Sequence, residues 1–300
     1  MASLRVRVAG VELENPLMNA SGLYGSKPEL LLRVAEAGAG ALVTKTFTYM
    51  PLPGYPTPIA VPVECGLINA VGLRNTGIDG LRNLLDRLKG VGKPVVVSIA
   101  AASIREAEVL AAVAEEHGAA LIEVNASCPH SPVHGGSPAR HLRLLGAVVE
   151  AAASTTTIPV GVKLGVMDNL VDVAAEMLER GARFLTLINT VKAMKIDVYT
   201  RRPVLGHGVG GLSGKAIHPV AVAAVYMVYR ELRPCIIGVG GVEDWRDAVE
   251  LMLAGASAVQ VGTATIKGLH VFREIVDGIR GYLEKEGYRS VEEIIGAALA

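Results

Sequence analysis

The stretch His117-Gly118-Ala119-Ala120-Leu121-Ile122-Glu123-Val124-Asn125 joins the end of a helical pattern to a short apolar run that closes on a polar residue. Glycine at such a step ends a helix in the left-handed conformation. The Gly-Ala step precedes an apolar run at three more places, Gly38-Ala39, Gly181-Ala182 and Gly255-Ala256. Four other apolar runs open with a proline, which suits the first residue of a strand. These prolines are Pro16, Pro94, Pro159 and Pro234.

The two kinds of apolar run alternate along the chain and predict eight strand–helix units. The expected strands span residues 16–19, 41–44, 94–99, 121–125, 159–163, 184–188, 235–239 and 258–261. The expected helices span residues 28–37, 78–89, 104–117, 140–154, 169–180, 218–231, 245–254 and 272–286. Eight such units predict a (β/α)8 TIM barrel, an α/β fold that needs roughly 250 residues. A doubly wound open sheet is the alternative, but no G-x-G-x-x-G follows the first strand.

Three stretches lie outside the eight strand–helix units that a minimal barrel needs. Residues 4–13 predict a small N-terminal hairpin, and residues 47–75 and 191–211 are long insertions. No domain boundary is visible, so we expect residues 1–300 to form a single domain. The insertions are then expected to shape a site at the C-terminal face of the barrel.

The composition argues against several classes of protein. Twenty-nine Lys and Arg balance 29 Asp and Glu, so neither nucleic acid nor an anionic membrane is an expected partner. Apolar runs are too short to span a membrane, and the N-terminus lacks the apolar run of a signal peptide, which predicts a cytoplasmic protein. The three cysteines form no C-x-x-C pair, so no disulfide framework and no zinc or iron–sulfur site is expected.

The residues that close the predicted strands are polar or glycine, and a barrel brings them together. The absence of Asp and Glu among them disfavours a glycosidase-like carboxylate pair and a divalent-metal site. Gly240-Gly241 and Gly262-Thr263, after the last two strands, match the standard phosphate site of barrels. Glycine pairs are also ordinary in turns.

Two lysines and one cysteine are candidates for chemistry. Lys45 and Lys163 each lie in an apolar strand, where a lysine must reach water or meet an anion. Such a lysine stabilises an anionic cofactor ring or a substrate oxyanion, forms a Schiff base, or extends to the surface. Cys128 follows a strand and precedes a loop rich in Gly and Pro, which suits a nucleophile or a proton acceptor under a lid. Cys65 and Cys235 are interpreted as inert.

Five of the eight asparagines stand at predicted strand ends or in the first insertion. They are Asn19, Asn69, Asn75, Asn125 and Asn189. Amide groups offer donors and an acceptor in one plane, although asparagine is also an ordinary turn residue. Together the five favour a site for a flat heterocycle with carbonyl and N–H edges.

Longer motifs follow one another in order along nearly the whole chain. They are N-P-L-M-N-A-S-G from Asn15, N-A-V-G-L-R-N from Asn69, N-A-S-C-P from Asn125, I-N-T from Ile188, G-G-L-S-G from Gly210, G-V-G-G from Gly238 and A-G-A-S-A-V-Q-V-G-T from Ala254. With these motifs the chain resembles the class 1 dihydroorotate dehydrogenases, most of all the subtype with a cysteine base and a separate electron-transfer subunit (class 1B). Cys rather than Ser at position 128, and the missing N-terminal membrane-associating extension, argue against the membrane-bound, quinone-using class 2.

The resemblance implies oxidation of (S)-dihydroorotate to orotate with FMN as hydride acceptor, in de novo pyrimidine (UMP) biosynthesis. It also implies a homodimer that passes electrons to a subunit carrying FAD and an iron–sulfur cluster, and then to NAD. Cys128 would be the base, with Lys45 and Lys163 as further catalytic groups. Implied FMN contacts are Ser21, Lys45, Thr46, Ser98, Asn125, Lys163, Ile188, Gly214, Gly240, Gly241, Gly262 and Thr263. Implied substrate contacts are Lys45, Asn69, Ala70, Val71, Gly72, Leu73, Asn125, His130, Asn189 and Thr190.

The chain departs from the family pattern in places. Ser98 and His130 each stand where the family usually has Asn, and Gly165-Val166-Met167 replaces S-P-N. The N-x-S-C-P-H form also resembles the pyrimidine-reducing domain of dihydropyrimidine dehydrogenase, so another dihydropyrimidine is an alternative substrate. A lyase with a Schiff-base lysine and a barrel that only binds a phosphorylated ligand are the alternatives from other classes.

Overall fold

The computed structural model describes residues 2–126 and 138–299. Its first element is the predicted N-terminal hairpin, in which β1 (Val6–Val8) pairs antiparallel with β2 (Val11–Leu13). Ala9 and Gly10 form the turn with φ angles of 47° and 91°, as a tight two-residue hairpin turn requires. Val6, Val8 and Leu13 are buried in the main core.

All eight predicted barrel strands are present, with ends shifted by one residue at most. The strands after the hairpin are β3 (Leu17–Asn19), β4 (Leu42–Val43), β5 (Ala60–Val63), β6 (Gly66–Asn69), β7 (Val95–Ile99), β8 (Leu121–Asn125), β9 (Val160–Leu164), β10 (Phe184–Leu187), β11 (Val191–Met194), β12 (Ile196–Asp197), β13 (Arg202–Pro203), β14 (Val209–Ser213), β15 (Ile236–Val239) and β16 (Ala258–Val261).

The eight predicted helices are present as well. They are α1 (Pro28–Glu36), α2 (Gly77–Leu88), α3 (Ile104–Glu116), α4 (Pro138–Thr155), α5 (Leu170–Glu179), α6 (His218–Leu232), α7 (Trp245–Leu253) and α8 (Val271–Glu286). Side chains cap some of them: Ser103 accepts from the backbone N–H of Glu106 at the start of α3, as an N-cap does. Within the two described stretches, none of the helices combines the length and apolarity needed to cross a membrane.

Eight strands form one parallel sheet in the order β3-β16-β15-β10-β9-β8-β7-β4, which confirms the (β/α)8 barrel. The ring is completed between β3 and β4, where backbone pairing is reduced to a bridge from Met18 to Ala41. The side chain of Asn19 strengthens this seam. Its Nδ2 donates to the carbonyl of Val43 at 2.7 Å, and its Oδ1 accepts from the N–H of Val43 at 2.9 Å.

The four Gly-Ala steps work as predicted. Gly38, Gly118, Gly181 and Gly255 have φ angles of 102°, 86°, 101° and 125°, a region that L side chains rarely adopt. Each glycine directly follows a helix and sends the chain back toward the next strand.

The two long insertions pair with each other, which the sequence analysis did not foresee. They form an antiparallel sheet in the order β11-β14-β6-β5. A small apolar cluster of Val61, Ile68, Ala70 and Leu205 holds this sheet together. Strand β14 aligns Gly211 with Asn69 of β6, so the sheet brings the predicted segment 69–73 to the C-terminal end of the barrel. A short hairpin of β12 and β13 extends the second insertion.

Candidate active site

A cavity of about 550 Å³ opens at the C-terminal ends of the barrel strands. Its volume lies in the range of roughly 300–1,000 Å³ that is usual for small-molecule sites. One wall is the insertion sheet, and the floor is the barrel interior. The predicted site residues that line the cavity are Ser21, Lys45, Thr46, Asn69, Ala70, Val71, Gly72, Leu73, Asn125, Lys163, Ile188, Asn189, Thr190, Gly214, Gly240, Gly241, Gly262 and Thr263.

Of the predicted site residues that the structure describes, Ser98 is not among those lining the cavity. Ser98 is fully buried behind Thr46, and its Oγ lies 2.9 Å from the Oγ1 of Thr46. Ser98 therefore positions Thr46, and its expected contact with a cofactor stays a prediction. Cys128 and His130 lie outside the described residues.

A chain of hydrogen bonds links the ends of strands β3, β4, β8 and β10. Thr46 Oγ1 accepts from Asn125 Nδ2 at 2.9 Å and lies 3.3 Å from Ser21 Oγ. Asn125 Oδ1 accepts from Asn189 Nδ2 at 3.4 Å, and Asn189 Oδ1 accepts from the N–H of Thr190 at 2.8 Å. These contacts fix which end of each amide carries its oxygen, so the cavity presents a defined pattern of donors and acceptors.

The five asparagines do not form one group, and the interpretation made from the sequence is corrected for two of them. Asn19 closes the barrel seam. Asn75 holds the first insertion: its Nδ2 donates to Thr48 Oγ1 and the carbonyl of Leu73, and its Oδ1 accepts from the N–H of Gly77. Both satisfy buried backbone groups, which sequence spacing alone does not distinguish from ligand contacts.

Lys45 is half-buried at the end of β4. Burial lowers the pKa of Lys45, and the nearby charge of Arg74 lowers it further. The backbone N–H of Lys45 donates to the carbonyl of Gly25 at 2.9 Å. A Cβ on Gly25 would lie 2.0 Å from that nitrogen, so only glycine allows this approach. The two cations favour an anionic ligand on this side of the cavity.

Lys163 lies at the floor of the cavity and is only 4% exposed. Its Nζ donates to Oε1 of Gln260 at 2.9 Å. Burial lowers the pKa of Lys163, whereas the charge of Glu123 raises it. Lys163 does not extend to the outer surface, so the interpretation in which this lysine reaches the surface is wrong. It is a buried amine that faces a ligand cavity.

A glycine turn forms the side of the cavity next to the last two barrel strands. Gly240 and Gly241 have φ angles of 138° and 68°. A Cβ on Gly241 would lie 2.7 Å from the Cβ of His218 and 2.8 Å from the carbonyl oxygen of Gly214. Thr263 stands beside this turn, and its Oγ1 donates to Ser213 Oγ at 2.8 Å. Bare backbone and a hydroxyl at this position suit a phosphate group.

A polar cluster missed by the sequence analysis braces the glycine turn from behind. His218 Nδ1 lies 2.9 Å from the carbonyl oxygen of Gly240, and His218 Nε2 lies 3.1 Å from Glu250 Oε2. Asp247 is paired with Lys215. Burial raises the pKa of Asp247, but hydrogen bonds from Lys215 and the backbone outweigh burial and hold that pKa below its usual value. His218, Asp247 and Glu250 lie on helices, so a pattern of polar residues at strand ends does not include them.

The insertions add aromatic rings that the sequence analysis did not single out. Tyr55 and His207 line the cavity and stack with ring centroids 3.7 Å apart and planes inclined by 2°. Gly72 packs against this pair, since a Cβ there would lie 2.7 Å from Tyr55 Cγ. Lys192 also lines the cavity. One available signal was the concentration of aromatic residues in the first insertion, which holds Phe47, Tyr49 and Tyr55 although only 4% of the chain is aromatic.

The whole chain matches known proteins. A family model described as "Dihydroorotate dehydrogenase" matches residues 3–283. The chain belongs to the dihydroorotate dehydrogenase family. A putative dihydroorotate dehydrogenase A (fumarate) of Aeropyrum pernix is 50% identical over 98% of this chain and 97% of the relative. The catalytic subunit of dihydroorotate dehydrogenase B (NAD(+)) of Pyrococcus furiosus is 44% identical over 99% of each.

The dihydroorotate dehydrogenase fold is also matched among solved structures. The crystal structure of a dihydroorotate dehydrogenase of Eimeria tenella in complex with ferulenol superposes with a TM-score of 0.84 over 99% of this chain and 88% of that one. At 23% identity this likeness bears on the fold alone.

Enzymes of the dihydroorotate dehydrogenase family use FMN, and the cavity fits that cofactor. The glycine turn suits the phosphate, and the fixed amides and the buried Lys163 suit a flat ring with polar edges.

Proposed function

We propose that this dihydroorotate dehydrogenase oxidises (S)-dihydroorotate to orotate, the redox step of de novo pyrimidine (UMP) biosynthesis. The observation that carries the proposal is the convergence of the glycine turn, the linked amides and two lysines on one cavity at the C-terminal face of the barrel. Bound FMN would supply a hydride acceptor. The chain itself must hold both molecules and take the proton.

The cofactor position follows from the chemistry of the walls. Gly240, Gly241, Gly262 and Thr263 would hold the phosphate through backbone N–H groups and a hydroxyl. Lys163 would lie beside the polar edge of the flavin ring, where a cation stabilises added negative charge. The remaining contacts would come from Ser21, Lys45, Thr46, Asn125, Ile188 and Gly214.

The substrate would lie between the ring and the insertion sheet. Lys45 supplies a positive charge for the substrate carboxylate. Asn125 and Asn189 offer amide donors and acceptors for its ring edges, and residues 69–73 and Thr190 complete the pocket.

Cys128 follows Asn125 by three positions and would remove the ring proton. A thiol with an ordinary pKa of about 8.5 needs only modest lowering to act as a base near neutral pH. His130 would face the substrate.

Replacing the proposed base tests this assignment. Cys128→Ala should abolish flavin reduction by dihydroorotate while FMN stays bound, measured anaerobically by stopped-flow absorbance. Cys65→Ala is the matched control, because Cys65 is an exposed cysteine outside the cavity lining. Unchanged reduction in Cys128→Ala would remove Cys128 from the mechanism.

We further propose that electrons leave through a partner subunit with FAD and an iron–sulfur cluster, and then reach NAD, as in class 1B. The relatives named as NAD(+)-type catalytic subunits support this route. The chain encodes no iron–sulfur cysteine motif and no dinucleotide fingerprint of its own. A homodimer and a cytoplasmic location remain predictions for sedimentation and cell fractionation to test.

Fumarate is the competing acceptor, since the Aeropyrum pernix relative is named for it. The purified chain alone, given dihydroorotate, should reduce neither fumarate nor NAD at a useful rate. Addition of the electron-transfer subunit should restore NAD reduction. Direct fumarate turnover by the isolated chain would overturn the proposed route.

A further inference from the structure

The barrel interior below the cavity contains a fully buried acidic residue. Glu123 lies in β8 on the same inward face as Asn125, one layer deeper. The inner layers of TIM barrels are dominated by bulky branched apolar residues. A buried carboxylate is costly unless it is hydrogen-bonded or paired. The presence of Glu123 in this layer therefore needs a physical reason.

Gln260 of β16 connects Glu123 to Lys163. Its Nε2 donates to Glu123 Oε2 at 2.9 Å, and its Oε1 accepts from Lys163 Nζ at 2.9 Å. The Oγ1 of Thr186 donates to the same Glu123 Oε2 at 2.9 Å. Glu123 Oε2 is therefore an acceptor of two hydrogen bonds. The amide of Gln260 turns its oxygen to a cation and its nitrogen to an anion.

The second oxygen of the Glu123 carboxylate shows that hydrogen bonding alone does not explain a glutamate at this position. Within residues 2–126 and 138–299, Glu123 Oε1 is buried and has no hydrogen-bond partner. A neutral glutamine at 123 could accept the same two hydrogen bonds. What glutamate adds is a negative charge.

That charge acts on Lys163. Burial lowers the pKa of Lys163, and Glu123 opposes this effect. The neighbours of Lys163 on β10 and β16 are the neutral Thr186 and Gln260. Lys45, a second cation, lines the same cavity from the end of β4.

We propose that Glu123 is a positioning residue that acts on Lys163 beside the polar edge of the flavin ring: its negative charge stabilises the ammonium, and Gln260 is the bridge that holds the ammonium in place. Neither residue lines the cavity, so both act through Lys163. The inference rests on the proposed function, because it requires Lys163 to face FMN.

The Glu123→Gln variant tests this role, since it keeps the shape and removes the charge. Its affinity ratio for reduced over oxidised FMN should fall by about tenfold, which corresponds to a midpoint potential about 30 mV more negative for a two-electron couple. The pH above which FMN affinity declines should move down, because Lys163 loses the charge that opposes the effect of its burial; flavin fluorescence measures this. Thr186→Val is the matched control. It removes a hydrogen bond from the same carboxylate oxygen without removing charge, and both quantities should stay near those of the wild type.

A second variant separates the bridge from the charge. Gln260→Leu should shift the midpoint potential in the same direction as Glu123→Gln, because the ammonium loses its acceptor. Equal midpoint potentials and equal pH profiles for wild type, Glu123→Gln and Thr186→Val would overturn the inference.

Lys163→Gln distinguishes failure of the inference from failure of the proposed function. A shifted midpoint potential in Lys163→Gln, with none in Glu123→Gln, would overturn the role of Glu123 alone. An unchanged potential in Lys163→Gln would overturn the placement of this lysine beside FMN, and with it the inference.

Discussion

Asparagine residues of similar sequence context have different tasks in this protein. Asn125 and Asn189 turn their amides into the cavity. Asn19, at the end of β3, instead bonds both backbone groups of Val43 and replaces a missing rung of the sheet. The local sequence around Asn19 identifies an amide but not its partner, because Val43 lies 24 residues further along the chain.

Removing the amide at the barrel seam should lower stability. Asn19→Ala leaves a buried N–H and a buried carbonyl of Val43 without partners, which costs about 2–4 kcal/mol of unfolding free energy. Urea denaturation measures this value. Asn83→Ala, on the exposed face of α2, is the control and should change stability by no more than about 0.5 kcal/mol. A seam variant as stable as the control would contradict the closing role of Asn19.

Asp247 predicts a pH dependence of stability. Its pKa is lower in the folded protein than in the unfolded chain, because the hydrogen bonds from Lys215 and the backbone outweigh burial. A lowered carboxyl pKa stabilises the fold above the unfolded value of about 4, and this contribution disappears as pH falls through the folded value. The stability difference between wild type and Asp247→Asn should therefore be largest at neutral pH and shrink below about pH 4. Denaturation at a series of pH values checks this; a difference independent of pH would refute it.

Among the helices and strands, the local sequence was sufficient to predict an end wherever a single residue sets the backbone conformation there. The four Gly-Ala steps predict four helix ends, and the glycines have the positive φ angles expected. The insertion sheet gave no such signal, since β6 pairs with β14 about 145 residues further along the chain and pairing at that distance leaves no local pattern. For the same reason, Tyr55 and His207 could not be placed together from the sequence.

The glycine turn beside the phosphate position gives a prediction for this element. Gly241→Ala places a Cβ against His218 and Gly214 at a φ of 68°, a strain of about 1–3 kcal/mol. FMN affinity, measured by fluorescence quenching, should fall roughly tenfold or more. Gly281→Ala is the matched control, because a Cβ in that part of α8 meets nothing within 4 Å. It should keep FMN affinity and gain about 0.5–1 kcal/mol of stability. Equal FMN affinity in the two variants would show that the turn does not approach the cofactor.

At the scale of the whole molecule, the barrel explains why strand ends far apart in sequence could be predicted to meet. Lys45 and Lys163 were identified because a lysine inside an apolar strand is conspicuous, and the fold carries both to one cavity. The same reasoning applied to Glu123 and Gln260 would have revealed the network beneath them. Helix-borne groups such as His218 carry no strand pattern and were missed.

We propose that residues 1–300 form a single FMN-binding domain, which predicts one cooperative unfolding transition. The fluorescence of Trp245, the one tryptophan, and far-UV circular dichroism should report the same midpoint. FMN at 100 times its dissociation constant should add about 2.7 kcal/mol of stability. Two separate transitions would contradict a single domain.

Anaerobic absorbance spectroscopy of the purified protein is the decisive test of dihydroorotate oxidation with FMN. We expect a yellow protein whose oxidised-flavin band is bleached when dihydroorotate is added. A yellow protein that dihydroorotate leaves unchanged, but that dihydrouracil or dihydrothymine bleaches, would contradict the proposed substrate and direct attention to His130. A colourless protein that traps a sugar phosphate or keto acid on Lys45 or Lys163 with borohydride would contradict the flavin account altogether.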